Sequence, residues 1–375
     1  MNTGLNAETD FDYLLSFMPQ GWQGKAKELG ALSRCRKIPD AETLLRVLLI
    51  HLAEGCSLRE TAARAEAGGI VKISDVAIMD RLRVAGKWFE WTSRELMQQW
   101  VRHQPEVVLG SQRRIRLVDG TRVKEPDPTG SSWCVHYSIT LPDLQCCEMQ
   151  VHDKHGNGET FKRFKVKKDD LFVGDRAYGT SPGIAHVLQR QGEVLTRFGW
   201  RHLPLWSKPG RRFDLFRHLR SLSGTRIGDW PVQIQHERKF YQGRVCALKK
   251  SRQATEKAEA AVRQKAQKNG NKLQAKTLEA AGYVMVFTTL KKQEMSKTRV
   301  LEMYRGRWQI ELVFKRLKSL LGFGHLRKTD PESARSWIQG KILVAFLMEV
   351  LIRKGESFFP WGYPITESEK QVPVA

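Results

Sequence analysis

The chain has 375 residues, enough for two or three domains, and with 41% apolar and 27% charged residues it has the composition of an ordinary globular protein with a sizeable core. Sixty-three Lys and Arg against forty Asp and Glu leave a net charge of +23, an excess usually neutralised by a polyanion, which puts nucleic acid ahead of an anionic membrane surface. Six cysteines without a CxxC spacing speak against a zinc ribbon or disulfide framework. The acidic start (Glu8, Asp10, Asp12) lacks the positive charge of a secretory signal, and the longest apolar stretch, 341–352, is broken by Glu349, so a cytoplasmic protein without membrane contact is expected.

Residues 1–110 read as a small all-α domain. Apolar positions 44, 45, 48, 49 and 52 form a helical face that Gly55 ends. Ser57 and Glu60 match a capping box that opens a second helix, stopped by Gly68-Gly69. A third begins at Ser74 or Asp75. Two short helices joined by a turn, the second bearing Arg81 and Arg83, resemble a helix-turn-helix reader of DNA.

After 110 the texture changes to β. Runs at 113–123, 132–141 and 145–153 predict three strands, and 168–179 predicts a buried strand running into Asp175. A helix at 182–191 and a strand at 193–198 follow, which together imply a mixed sheet covered by helices. From 199 to 284 the alternation breaks down into scattered Trp residues, short strands such as 231–240, and an exposed basic helix within 251–276. Strand character returns at 283–290. A long helix at 296–323 and an apolar helix near 335–353 close the chain before a Pro-containing tail.

Three carboxylates stand out. Asp119 and Asp175 each end an apolar strand, and Glu311 lies inside the long helix. Two converging carboxylates raise one another's pKa unless a counter-charge sits between them, and oxygen ligands suit Mg2+ or Mn2+. On the helix, Tyr304, Arg307, Glu311 and Lys318 fall within an arc of roughly 60°, a single polar stripe, with Ile310, Val313, Leu317, Leu320 and Leu321 as the buried face.

The spacing Tyr304-x2-Arg307-x3-Glu311-x6-Lys318 matches the YREK signature of DDE transposases of the insertion-sequence-four type. VDGTR around Asp119 and GDRAYG around Asp175 resemble the first and second aspartate motifs of that family. The resemblance implies an α/β, ribonuclease H-like mixed sheet carrying a β-rich insertion domain. In those terms 1–110 is an end-binding domain, 111–198 and 285–355 are the two parts of the catalytic core, 199–284 is the insertion, and 356–375 is a tail. It implies a metal-dependent, cut-and-paste enzyme that nicks a strand, passes through a hairpin and transfers the strand to a target. Asp119, Asp175 and Glu311 would hold two Mg2+ ions, with Mn2+ able to substitute, and Arg307, Lys318 and Tyr304 would contact DNA phosphates. Arg176 and Arg197, at sheet ends, are further candidates for phosphate contact. Tyr283 stands near the place where the family often has a base-flip Trp, and its ring could stack on a base. The expected partners are double-stranded DNA, namely the element's terminal inverted repeats and a target, bound by a homodimer in a synaptic complex at the bacterial nucleoid. A non-catalytic DNA-binding regulator and a structure-specific nuclease on the same core are the competing readings. His136, His152, His155 and His186 show no ligand spacing, and Gly156-Asn-Gly158 reads as a loop.

Overall fold

The computed structural model describes residues 7–33, 37–102, 113–124, 132–141, 145–153, 158–308, 310–311, 315, 318–319, 321–324, 326 and 330–358. Cys35, the boundary expected at 110, His155, Gly156, the helix positions Val313, Leu317 and Leu320, and the tail beyond Phe358 lie outside the described residues. The chain forms two compact units, one of residues 1–102, 123–132 and 316–375, the other of 103–122 and 133–315.

The first unit is helical. Its elements are α1 (Ala7–Leu15), α2 (Trp22–Glu28), α3 (Ala41–Glu54), α4 (Leu58–Ala67), α5 (Asp75–Val84), α6 (Gly86–Arg102) and a C-terminal helix, Pro331–Phe358. The starts and stops follow the sequence signals. Asp40 accepts from Thr43 N at 2.7 Å and Gly55 ends α3 at φ 73°. Ser57 accepts from Glu60 N to open α4, and Ser74 accepts from Ala77 N to open α5. The C-terminal helix packs on α3, α5 and α6. Its apolar residues Ile338, Ile342, Leu343, Phe346 and Leu347 need a cover, and these helices supply one. Gly340 lies against Leu52 and Phe89, and Ser336 donates to Arg83 O at 2.8 Å.

The second unit holds a sheet of ten strands: β1 (Arg114–Lys124), β2 (Ser132–Leu141), β3 (Cys146–His152), β4 (Asp170–Gly174), β5 (Glu193–Arg197), β6 (Leu205–Lys208), β7 (Arg211–Arg212), β8 (Gly228–His236), β9 (Lys239–Lys249) and β10 (Tyr283–Thr288). Their order is β3-β2-β1-β4-β5-β10-β9-β8-β6-β7. β1, β4 and β5 run parallel, and β5, β10, β9 and β8 are antiparallel in turn. β4 is buried at every residue, as a central parallel strand should be.

The region from 199 to 284 adds β6–β9 to this same sheet, because β9 pairs with β10 from Arg244↔Thr288 to Lys249↔Tyr283. The expected single strand at 231–240 is a hairpin. Its two-residue turn at Glu237-Arg238 places Glu237 at φ 55° between β8 and β9. Helices α7 (Ser181–Leu188), α8 (Leu215–Arg220), α9 (Arg252–Lys268), α10 (Ala275–Ala281) and α11 (Lys297–Gly306) complete the unit. Its core gathers Phe161, Phe164, Phe172, Tyr178, Phe198 and Phe287. The basic helix α9 has no buried residue, as its sequence implied.

Candidate active site

Parallel strands converge their functional side chains at their carboxyl ends. β1 and β4 pair from Arg114↔Asp170 to Leu117↔Val173, so two steps further on Asp119 comes opposite Asp175 with the same side-chain parity. Asp119 does not end its strand. β1 continues through Gly120 to Lys124, so the Asp-Gly pair is strand and not turn. Asp175 does lie just past β4, where its Oδ1 accepts from Ala177 N at 2.8 Å. The third parallel strand, β5, pairs Thr196 with Gly174 and ends at Arg197. Thr196 Oγ1 ties the ends together through Asp175 O at 2.8 Å and Gly174 O at 3.2 Å. Gly179 closes the GDRAYG motif because a Cβ there would stand 2.5 Å from Arg197 O and 3.0 Å from Phe198 Cα.

The long helix expected at 296–323 is tightened at its centre. α11 ends at Gly306, Arg307 is its C-cap, and helix resumes at Trp308. Around this point Arg307 N bonds Tyr304 O at 3.1 Å and Ile310 N bonds Arg307 O at 3.2 Å, three-residue spacings characteristic of a tighter turn. The tightening turns Arg307 inward, where its side chain is 14% exposed. Glu311, at 56%, remains accessible. Arg307 Nη1 lies 3.5 Å from Asp119 Oδ2 and Nη2 donates to Glu311, so one guanidinium bridges the two carboxylates. Its Cζ lies 5.8 Å from the Tyr304 ring.

Burial, with the charges of Asp175 and Glu311, pushes the Asp119 carboxyl up to about 6 against the pull of Gly120 N–H and Arg307. A further carboxylate absent from the sequence reading stands here: Glu159 is pushed up to about 7 by burial and by Asp175 and Asp119. No motif marks Glu159. It comes from the connection after β3, and only the fold brings it to Asp119. Arg307 is held above the usual guanidinium range: burial lowers it, but Tyr304, Glu311 and Asp119 more than offset this.

Beside Asp175 opens a pocket of about 710 Å³, lined by Arg176, Arg197, Lys250, Lys265, Trp200 and Tyr283 among others. Arg197 is lowered by burial and then by Arg176, although Tyr304 hydrogen-bonds it, and Lys250 is lowered by burial, Arg197 and Arg176. Cations crowded in this way attract an anion. Tyr283 is 7% exposed, packed in the apolar core as well as lining this pocket. Lys250 was not legible as a site residue, since it follows β9 within a long Lys-rich tract.

Asp119, Asp175, Arg176, Arg197, Tyr304, Arg307 and Glu311 are thus residues of one unit. Lys318, Arg81 and Arg83 belong to the helical unit. Lys318 is exposed and helical, and Arg83 pairs with Glu332 at 2.8 Å and Asp330 at 3.6 Å.

A family model described as the transposase DDE domain matches residues 110–347, more than half of the chain. The chain is also 34% identical over 350 residues, 91% of its length and 93% of the relative's, to transposase InsL of insertion sequence element IS186A from Escherichia coli strain K12. It shows the same identity over 351 residues to the transposase of insertion sequence element IS421 from Escherichia coli. The chain belongs to the DDE transposase family. It is a DNA transposase of the insertion-sequence kind with a ribonuclease H-like fold, an enzyme that cleaves and transfers DNA strands and depends on a divalent cation. No helix among the described residues is long and apolar enough to cross a membrane.

The donor set suits such a cation. The carboxylates offer only oxygen, the choice of Mg2+ or Mn2+, and Arg307 already places a positive charge between Asp119 and Glu311. Among the described residues, no three Asp, Glu, His or Cys side chains stand close enough to hold an ion as they are.

Proposed function

We propose that Asp119, Asp175 and Glu311 would hold the divalent cations of this transposase, two Mg2+ ions that Mn2+ could replace. The observation that supports this most is the excess of carboxylate over cation at the carboxyl ends of β1 and β4, bridged to Glu311 by Arg307. When bound, the ions supply a Lewis acid for attack on a phosphodiester by water and then by a DNA 3′-OH. Arg307, released from Glu311, turns its planar fork to phosphate oxygens and the Tyr304 hydroxyl contacts the same backbone, while Lys318 of the helical unit binds phosphate as a point charge. Arg176, Arg197 and Lys250 hold phosphate at the pocket beside Asp175, whose Tyr283 ring offers a stacking face. Helix α9 tracks phosphates along its exposed basic surface, and the helical unit, through Arg81 and Arg83, reads the terminal inverted repeats. Two copies synapse both element ends in the cytoplasm, at the nucleoid, and second-strand cleavage passes through a hairpin.

One assay tests the reading. DNA carrying the element's terminal repeats is incubated with the full chain and Mg2+, and the products are resolved on a denaturing gel. Nicked, hairpin and joined strands that vanish with EDTA are the expected result. Cutting without joining would identify a nuclease, and binding without cutting a regulator.

A further inference from the structure

We propose that the outer strands of the sheet, β6 to β9, form a sequence-independent docking surface for a second DNA duplex, the target into which strands are joined. The surface uses none of the residues of the candidate active site.

Charge carries it first. Residues 201–250 hold twelve Lys and Arg against three Asp and Glu, a far steeper excess than in the chain as a whole. Two of the acids are taken up within the fold: Asp214 caps α8 through Arg217 N at 3.1 Å, and Asp229 pairs with Arg244 at 2.9 Å. The third, Glu237, faces His236 at 3.7 Å. Lys208, Arg211, Arg212, Arg238 and Lys239 are exposed, and none has an ion-pair partner among the described residues. Cations that the fold leaves unneutralised draw in a polyanion.

Geometry carries it second. β6 and β7 are joined at Pro209-Gly210, with Gly210 at φ 78°, the left-handed residue that a type II turn requires. The strands pair through Trp206↔Arg212 and Lys208↔Arg211, and the irregularity between these pairs twists the edge. Arg212 lays its guanidinium 4.0 Å from the centre of the Trp206 ring, and Phe240 meets that ring edge-on at 5.7 Å. Trp206 pairs with Gln233 and Phe240 with Gln235, so both rings stand on the face opposite the buried Leu205 and Ile234. Stacking holds Arg212 in place while the N–H edges of its fork stay open to phosphate. Since β6 and β8 are antiparallel, the β6–β7 turn and the β8–β9 turn with Arg238 and Lys239 border this face at opposite ends.

Position and composition choose the occupant. β7 lies six strand steps from β4, about 29 Å at ordinary sheet spacing. These cations are therefore too far away to touch a phosphodiester at Asp175 and near enough to hold a second duplex beside it. Lys, Arg and a covered ring contact phosphate and sugar, which carry no sequence. The two ends of an element share one sequence, whereas a target differs from one insertion to the next. Edge strands also carry Lys and Arg to discourage pairing with another sheet, which accounts for Arg211 and Arg212. It does not account for Arg238 and Lys239, at a turn between two interior strands.

The test compares the full-length wild type with a variant carrying Lys208→Gln, Arg211→Gln, Arg212→Gln, Arg238→Gln and Lys239→Gln. If that variant melts early, Arg238→Gln with Lys239→Gln takes its place, with a proportionately smaller effect. Anisotropy with a labelled duplex of arbitrary sequence should show binding weaker by about tenfold or more, and a log–log salt slope shallower by about 3 to 4.5. Joining of pre-cleaved terminal-repeat ends into a plasmid should fall by about tenfold, while nicking without plasmid stays within about twofold of wild type. Arg211→Lys with Arg212→Lys keeps the charge and should keep the salt slope. An unchanged slope in the Gln variant overturns the docking surface and leaves its cations as protection of the sheet edge. Nicking that falls as far as joining overturns the target as occupant, because the element's own end then lies here. The duplex-binding arm needs no cleavage, so it decides the surface even where the assignment of Asp119, Asp175 and Glu311 fails.

Discussion

The two ends of the β1–β4 pair carry the same residue types and arrange them in opposite ways. At the amino end, Arg114 grips Asp170 with two bonds of 2.7 and 2.9 Å, and Arg116, 2% exposed, donates to Glu148 at 2.8 Å, Asp170 at 3.3 Å and Ser138 at 3.1 Å. Backbone N–H groups finish the shell: Lys167 N reaches Asp170 at 2.9 Å and Lys165 N reaches Glu148 at 3.0 Å. Charge and hydrogen bonds close. At the carboxyl end, Asp119 and Glu311 share the Arg307 guanidinium, whose Nε has no partner among the described residues, and the carboxyls of Asp119 and Glu159 are pushed up to about 6 and about 7. The first end is finished as folded. The second is left with more carboxylate than cation, which fits its proposed role as the site of chemistry.

The largest break in that contrast comes from the carboxyl end. Asp119→Asn, Asp175→Asn or Glu311→Gln removes a ligand charge with little change of shape. Each should lower strand cleavage by about 10³-fold or more, the equivalent of several kcal/mol, while binding to terminal-repeat DNA survives. Retained cleavage above about 1% on a denaturing gel would count against the assignment. Folding stability should change little.

The reverse pattern is expected at the amino end. Arg116→Met leaves Glu148 without its cation and Asp170 with Arg114 alone, which should cost about 3–5 kcal/mol in urea unfolding. Below the midpoint of that transition, cleavage per folded molecule should stay near wild type. A variant as stable as wild type would show that Arg114 and the backbone donors suffice.

Much of this contrast was legible in the sequence and some could not be. The apolar runs ending in Asp119 and Asp175 gave the strands, and the spacing from Tyr304 onward pointed to a helix, because period and residue type are local properties. The caps at Ser57, Ser74 and Gly55 were local too. Glu159 was invisible because it depends on a connection folding back over Gly120. So was the tightening at Arg307, which no Pro or Gly-rich run predicts beyond the single Gly306. The apolar residues of the C-terminal helix do not by themselves say which neighbour will cover them. Arg116 read as an ordinary strand residue, since only the packed sheet reveals that it is enclosed.

A smaller effect separates the two ends by pH. The Asp119 carboxyl is raised from 3.8 to about 6 in the folded chain, chiefly by burial, so the folded state holds its proton where the unfolded state has lost it. Protons bound to the folded form make stability fall as pH rises between about 4 and 6, by about 3 kcal/mol at most for this group. Glu159, raised to about 7, adds the same sign over a higher window. Melts without divalent cation should therefore show wild type losing stability relative to Asp119→Asn across this range. Mn2+ at neutral pH should restore it, and parallel curves for the two proteins would remove the strain assigned to Asp119.

The smallest effect concerns the two arginines, one at each end. Arg116 has its Nε on Ser138 and both terminal nitrogens on oxygen, so each of its nitrogens is engaged within the fold. Arg307 has a buried Nε with no partner among the described residues, a 3.5 Å contact to Asp119 and a bond to the exposed Glu311 that solvent can compete for. Its fork is thus held in place but not consumed, which is what a phosphate clamp requires. Arg307→Ala should leave Mn2+ binding and first-strand nicking largely in place and lower hairpin and joined products by about 10²-fold, the cost of a misplaced strand. Arg307→Lys keeps the charge and loses the planar fork, so it should recover part of this and remain about tenfold below wild type. Single-turnover gels resolving the three products decide it. Equal loss of all three in a folded Arg307→Ala would make Arg307 a partner of the carboxylates alone, and the two ends of the strand pair would differ only in the number of arginines they hold.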